Sequence, residues 1–280
     1  MESVIDREAV VAPMNYLGPM DDMPYFYAQR HDLDHLNLEQ HRVAISNARP
    51  YARHLSVCRD GFQLVDHPTG VDDWFDDAQI AERYVPAVRA LIARLTGAEL
   101  VCVTPGVVRR FGERGTRAEF VNSQPARFVH VDYSRASFNQ FAAQHLRDHP
   151  DRDRLLGGRY AAYNIWRVIT PPPQDVPLAV CAAASVAEAD RVTAEARVDP
   201  VGQPEFRFGS SIFRHSDHHR WHYFRDMQPD EALVFKAFDS DPQALQGCPH
   251  VAFDDPTCPS GACPRGSVEI RAFAYWGSPE

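Results

Sequence analysis

The stretch RFVHVDYS, residues 127–134, decides how the rest of this chain is read. Its short apolar run reads as a β-strand, and side chains two apart on a strand leave from one face, so His130 and Asp132 project together. An imidazole and a carboxylate on one rigid edge can chelate a cation. If a second histidine joins them from a distant segment, the set becomes a facial two-histidine, one-carboxylate site. Such a site holds iron(II) and leaves positions open for cosubstrate and oxygen. An HxD triplet alone is a weak signal in a chain with 13 histidines, so its surroundings carry the weight.

Those surroundings are strand-like. The runs ELVCVTP (99–105), AAYNIWRVI (161–169), PLAVCAAASV (177–186), RWHYF (220–224), EALVFKAFD (231–239), HVAF (250–253) and VEIRAFAYW (268–276) join ARFVHVDYS (126–134), with Pro, Gly and Asp turns between them. Only one helical stretch, SFNQFAAQHLRDH (137–149), interrupts this series, which fits an all-β jelly roll better than a parallel α/β sheet. The expected core is a double-stranded β-helix over 101–280, in a single domain spanning 1–280. Residues 1–100 are read as an N-terminal elaboration with strands at HRVAISNAR (41–49) and after Gly61. From Asp77 to Leu95 the apolar residues recur at helical spacing, which predicts one long amphipathic helix that Gly97 ends.

Composition narrows the function. With 280 residues, 44% of them apolar, the chain can bury a large core. A net charge of -9 without a basic block argues against nucleic acid as partner, since phosphate neutralisation needs clustered cations. No run of eighteen apolar residues is present, and MESVIDREAVV has neither the basic nor the apolar part of a signal peptide, so no membrane partner is expected and the setting is read as cytoplasmic. Six cysteines in such a chain are read as free thiols. Cys248, Cys258 and Cys263 lack the spacing of a zinc knuckle.

Candidates for the third metal ligand are the cluster RHSDHHRWH (214–222) and His250. The cluster is highly charged and precedes a strand, so it reads as a solvated loop. His250 follows a Gly-Cys-Pro turn and opens a strand, which puts its imidazole near a barrel rim, where ligands converge. An oxygenase that uses 2-oxoglutarate also needs a cation for the far carboxylate, and a guanidinium grips it with two bonds. Arg271 sits mid-strand between Ile270 and Ala272 and suits that task, although a pair with Glu269 accounts for it equally well. Arg167 is the other embedded arginine. Asn164, on the opposite face of its strand, completes the cosubstrate candidates. Tyr133, Trp166, Trp221, His222 and Tyr223 are the candidate substrate-pocket groups, each of which ordinary core packing would also explain.

Taken in order, HRVAISNAR, RDGFQLVDHPTGVDDW, LTGAELVCV, VHVDYS, NIWRVI, WHYFRDMQPDEALVFKAFDS, HVAFDDP and VEIRAFAYW resemble the CmcJ/NvfI-like family, which includes AsaB-like hydroxylase/desaturases. The resemblance runs over nearly the whole chain. Its most specific parts are NIWR, the turn DMQPDE leading into FK, and HVAFDDP. It implies a non-haem iron(II), 2-oxoglutarate-dependent oxygenase of specialised metabolism on a jelly roll, with O2 as co-reactant and a small natural product or amino-acid derivative as substrate. It further implies that His130, Asp132 and His250 hold the iron and that Arg271 holds 2-oxoglutarate. Hydroxylation, desaturation and ring closure all remain open, as does the oligomeric state. Two other classes stand beside this one: a cupin-like protein that binds metal and ligand without turnover, and a zinc-dependent hydrolase.

Overall fold

The computed structural model describes residues 9–28, 30–115, 124–198 and 204–278; the first eight residues, on which part of the N-terminal reading rests, lie outside them. In chain order the strands are β1 (Val10–Leu17), β2 (Tyr25–Tyr27), β3 (Leu38–Asn47), β4 (Phe62–Asp66), β5 (Leu100–Val103), β6 (Val108–Phe111), β7 (His130–Val131) and β8 (Arg159–Val168). They continue with β9 (Leu178–Cys181), β10 (Arg191–Val198), β11 (Phe206–Phe213), β12 (Trp221–Tyr223), β13 (Glu231–Asp239), β14 (His250–Ala252) and β15 (Gly266–Trp276). Nine of them form one sheet in the order β1-β3-β12-β9-β14-β7-β11-β10-β2. The second sheet runs β4-β13-β8-β15-β5, with β6 also paired to β15. The two curl over one another as a double-stranded β-helix, as the sequence predicts. Strands from the first hundred residues extend both sheets at their edges.

The outer face of the smaller sheet is closed by a helical segment made of α1 (Asp77–Gln79), a π turn at Ile80–Tyr84 and α2 (Val85–Thr96). Asp76 starts it by accepting from the Ala78 and Gln79 amides, and Gly97, in the left-handed region at φ 67°, ends it. The sequence predicts one regular helix here; the structure widens a turn before Pro86, whose missing N–H removes a bond from the regular ladder. Tyr84, Val88, Leu91 and Ile92 pack on Ala161, Ile165, Ile270, Ala272 and Ala274, whose small or branched side chains let the helix lie close. Leu91→Ala would cost roughly 2–5 kcal/mol in such a packed layer.

Period-two alternation sorts the strands between faces. On the nine-stranded sheet, Val129, Val131, Val251, Trp221 and Tyr223 pack outward against β1 residues such as Met14 and Tyr16. On the inner side lie Leu178 and Val180, together with Trp166, Leu233 and Phe235 of the smaller sheet. Strands β1, β10 and β11 give no clear strand signal in sequence. Pro13 interrupts the first, and RVTAEARV is composed of residues that favour helices as readily. Pairing with β11 and β2 holds β10 extended. The histidine cluster is a loop over 214–220, as expected, but not a fully solvated one: His219 is buried between Tyr16 and Asp190, and His215 stacks on His41 at 4.0 Å.

Two further helices follow the HxD strand, α3 (Arg135–His145) and α4 (Arg152–Gly157). Ser134 caps α3 and shares a reciprocal capping box with Ser137, whose hydroxyl also donates to the Gly209 carbonyl of β11. A side chain at Gly209 would meet Ser134 at 2.2 Å, so glycine there lets the cap dock on β11.

Candidate metal centre

His130 and His250 are direct partners across the antiparallel β7–β14 pair, which sets their rings 4.3 Å apart between the sheets. Gly247 allows this: a Cβ there would come within 2.0 Å of the Ala237 carbonyl, so only glycine lets the approach to β14 press onto β13. Asp132 follows on the same face as His130, just past the end of β7. One donor atom from each of the three lies within 4.8 Å of the others.

Hydrogen bonding fixes which atoms are on offer. Each histidine directs Nδ1 at a backbone carbonyl, His130 to Phe128 at 2.9 Å and His250 to Cys248 at 3.2 Å. A carbonyl only accepts, so Nδ1 carries the proton and Nε2 keeps the lone pair a metal requires. Burial, and then the neighbouring His250, push the His130 pKa down to about 3; burial likewise lowers that of His250. Both imidazoles are therefore neutral at physiological pH. Burial works to raise the pKa of Asp132, but the charge of the Arg271 guanidinium, helped by the Asn164 hydrogen bond, outweighs it, so the carboxylate stays ionised. Two neutral Nε2 atoms and one carboxylate suit iron(II) in both charge and number.

Comparison with known proteins agrees with this chemistry. A family model described as an oxidoreductase/YMDC permease-like domain matches residues 14–275. The Fe(II)/2-oxoglutarate-dependent dioxygenase NvfI of Aspergillus novofumigatus is 30% identical over 263 residues, which cover 86% of this chain and 85% of that protein. The hydroxylase/desaturase CTB9 of Cercospora beticola is 32% identical over 262 residues, covering 86% of this chain and 78% of that one. The chain belongs to the CmcJ/NvfI-like family of iron(II)/2-oxoglutarate-dependent oxygenases. A solved structure of the iron and α-ketoglutarate-dependent endoperoxidase NvfI superposes with a TM-score of 0.82 at 24% identity, covering 98% of this chain and all of that one, and so supports the fold. No helix among the described residues is long and apolar enough to cross a membrane.

As a member of the CmcJ/NvfI-like family the protein uses iron(II), 2-oxoglutarate and O2. Its surroundings differ from the sequence expectation at several residues. Arg271 turns to Asp132, with Nε to Oδ2 at 3.0 Å and Nη2 to Oδ1 at 2.9 Å, and Nη2 also reaches Glu269 at 3.0 Å. Asn164 is fully buried and donates to Asp132 Oδ2 at 2.5 Å, so it supports the carboxylate directly. Arg167 is on the other face of β8. Its guanidinium lies between the rings of Trp74 and Tyr84 and donates to the His67 and Pro229 carbonyls and to His67 Nδ1, which removes it from the cosubstrate candidates. Trp221 and Tyr223 face the outer core, where Trp221 donates to the Tyr16 hydroxyl and Tyr223 packs edge-on to Phe253. His222 points inward but packs on Phe62, apart from the cavity walls. Trp166 and Tyr133 do line the cavities beside the triad.

Sequence reasoning missed Arg265. It is 2% exposed, shares a small cavity with His130, Asp132, His250 and Trp166, and its Nε is buried with no partner. Burial, then Arg127 and Arg110, push its pKa down to about 9, the mark of a cation held without enough counter-charge. The available signal was register: Arg265 has the same parity as Glu269 and Arg271, and β15 begins one residue later.

Proposed function

We propose that iron(II) is held by Nε2 of His130, Nε2 of His250 and the carboxylate of Asp132, and that Arg265 grips the far carboxylate of 2-oxoglutarate. The observation that carries this reading is the pair of imidazoles with protonated Nδ1 and free Nε2 beside an ionised Asp132, all within 4.8 Å. Arg265 is preferred to Arg271 because its Nε is unpartnered, whereas the Arg271 fork is engaged by Asp132 and Glu269. A buried guanidinium without full pairing is costly, and a ligand carboxylate relieves that cost with two charge-assisted bonds.

When bound, the metal with its cosubstrate and oxygen supplies an oxidant able to take hydrogen from an unactivated C–H bond while 2-oxoglutarate becomes succinate and carbon dioxide. The residues of this chain arrange that chemistry. Asn164 and Arg271 orient Asp132, the two backbone carbonyls hold the imidazole planes, and Trp166 shields the cosubstrate side from water. A second cavity of about 830 Å³ opens on His130 and Asp132 and is walled by Phe26, Phe128, Tyr133, Phe141, Phe208 and Phe273, among others. It takes a small organic substrate and sets which carbon lies nearest the metal, hence whether hydroxylation, desaturation or ring closure results. Free thiols at all six cysteines and the acidic surface suit a cytoplasmic enzyme without nucleic-acid or membrane partners.

Succinate formed from 2-oxoglutarate under oxygen, with iron(II) added, tests the assignment. Wild type produces succinate and His130→Ala does not. Tight zinc binding with no 2-oxoglutarate consumed by either protein would replace this reading with the hydrolase or the non-catalytic binder.

A further inference from the structure

The wall of the large cavity is aromatic, and its charged side chains already have partners. Arg271 is held by Asp132, Arg109 by Asp77 and the Trp74 carbonyl, and His31 by Asp34. Arg110 lies in the field of Glu269 and Asp132. The described residues thereby offer no spare charge to an ionised substrate, and a charged molecule would lose its hydration to them without compensation.

Apart from the exposed Gln144, one polar group among the described residues of this wall stands unpaired. His145, in the last turn of α3, lies against the Phe273 ring at 4.7 Å and lines this cavity. Its imidazole has no hydrogen-bond partner among the described residues. Desolvation alone lowers its pKa, so the ring is neutral and offers one donor and one acceptor. Phe273 is two residues from Arg271 on one face of β15, which places His145 on the wall that continues from the metal centre.

We infer that His145 is a specificity-determining residue of the substrate cavity, hydrogen-bonding a hydroxyl or carbonyl oxygen of a neutral, largely apolar substrate that packs on the surrounding phenylalanines. The inference rests on the metal-centre reading above, because the same triad must act on what the cavity holds. His145 positions the substrate and takes no part in the chemical step. Its hydrogen bond replaces one lost to water, and a partner unable to form it leaves the imidazole unsatisfied, so discrimination of about tenfold is expected.

The test uses the full chain loaded with iron(II) and 2-oxoglutarate without oxygen, and two fluorescent probes, pyrenemethanol and ethylpyrene, which differ by a hydroxyl in place of a methyl group. Fluorescence anisotropy gives both dissociation constants. Wild type binds pyrenemethanol about tenfold more tightly; His145→Phe and His145→Leu lose that preference while still binding ethylpyrene, and His145→Asn keeps part of it. Equal binding of the probes by wild type, failure to bind either, or a preference that survives both apolar variants would overturn the inference. The visible charge-transfer band of iron-bound 2-oxoglutarate reports separately on the metal centre: its absence would defeat the underlying assignment, whereas its presence with no probe discrimination defeats only the role of His145.

Discussion

Arg271 meets Asp132 side-on through two nitrogens, Nε to Oδ2 at 3.0 Å and Nη2 to Oδ1 at 2.9 Å, so the carboxylate proposed to bind the metal carries its own counter-cation inside the fold. Removing one partner of a fully buried pair leaves an uncompensated charge and typically costs about 3–5 kcal/mol, an upper bound for this partly buried one. Arg271→Gln should therefore lower the melting temperature of metal-free protein. Because bound metal then supplies the missing positive charge, cobalt(II) should raise the melting temperature more in the variant than in wild type. Equal metal-induced shifts in the two proteins would show that Arg271 does not substitute for the metal's charge.

Asn164 completes this arrangement through its 2.5 Å hydrogen bond to Asp132 Oδ2. Asn164→Leu keeps the branching and the heavy-atom count and removes the donor, and groups that orient a metal ligand commonly change affinity by about 10–100-fold. The visible spectrum of cobalt(II) titrated into each protein measures this. An unchanged affinity would mean that Arg271 alone suffices to hold the carboxylate.

Arg265 and Arg167 are separated by kinetics. Losing the charge-assisted grip on a cosubstrate carboxylate is worth about 1.5–3 kcal/mol, so Arg265→Met should raise the KM for 2-oxoglutarate by about 10–150-fold while metal affinity stays near wild type. Arg167→Met should leave that KM unchanged and lower stability instead, since Arg167 holds His67 and the Pro229 carbonyl. The opposite pattern would return the anchor to β8.

His67 makes the fold sensitive to acid. Burial, then the Arg167 guanidinium, push its pKa from 6.5 down to about 4. Between those values the unfolded chain binds a proton that the folded chain refuses, so stability is whole above pH 6.5 and falls as pH drops toward 4, by on the order of 3 kcal/mol. Thermal melts from pH 7.5 to 4.5 should show this slope. His67→Gln, whose side-chain oxygen can accept from Arg167 without taking up a proton, should reduce it by one proton's share, the remainder coming from other buried imidazoles such as His130; an unchanged slope would assign the whole loss to those groups.

Much of the architecture was legible because strand and helix patterns are local. Apolar alternation at 161–169 and 268–276 marks the two central strands of the smaller sheet, and helical spacing from Asp77 to Leu95 marks its cover. The π turn before Pro86 depends on how that helix resolves one missing bond, and β10 depends on neighbours brought in from elsewhere in the chain, so neither could be read from a short window.

By itself the sequence determined which chemistry the protein can perform: the two-residue spacing of His130 and Asp132 places them on one face whatever else happens, and His250 opens a strand of its own. Only the tertiary structure decided what each charged group meets. Whether Arg271 reaches a ligand or Asp132, whether Arg265 is a surface residue or a buried cation, and whether Trp221 lines a pocket or a core all depend on pairing between strands more than a hundred residues apart. Partners at that separation leave no trace in local periodicity, because a guanidinium or an indole fits a strand equally well on either face until the opposing sheet supplies its neighbour.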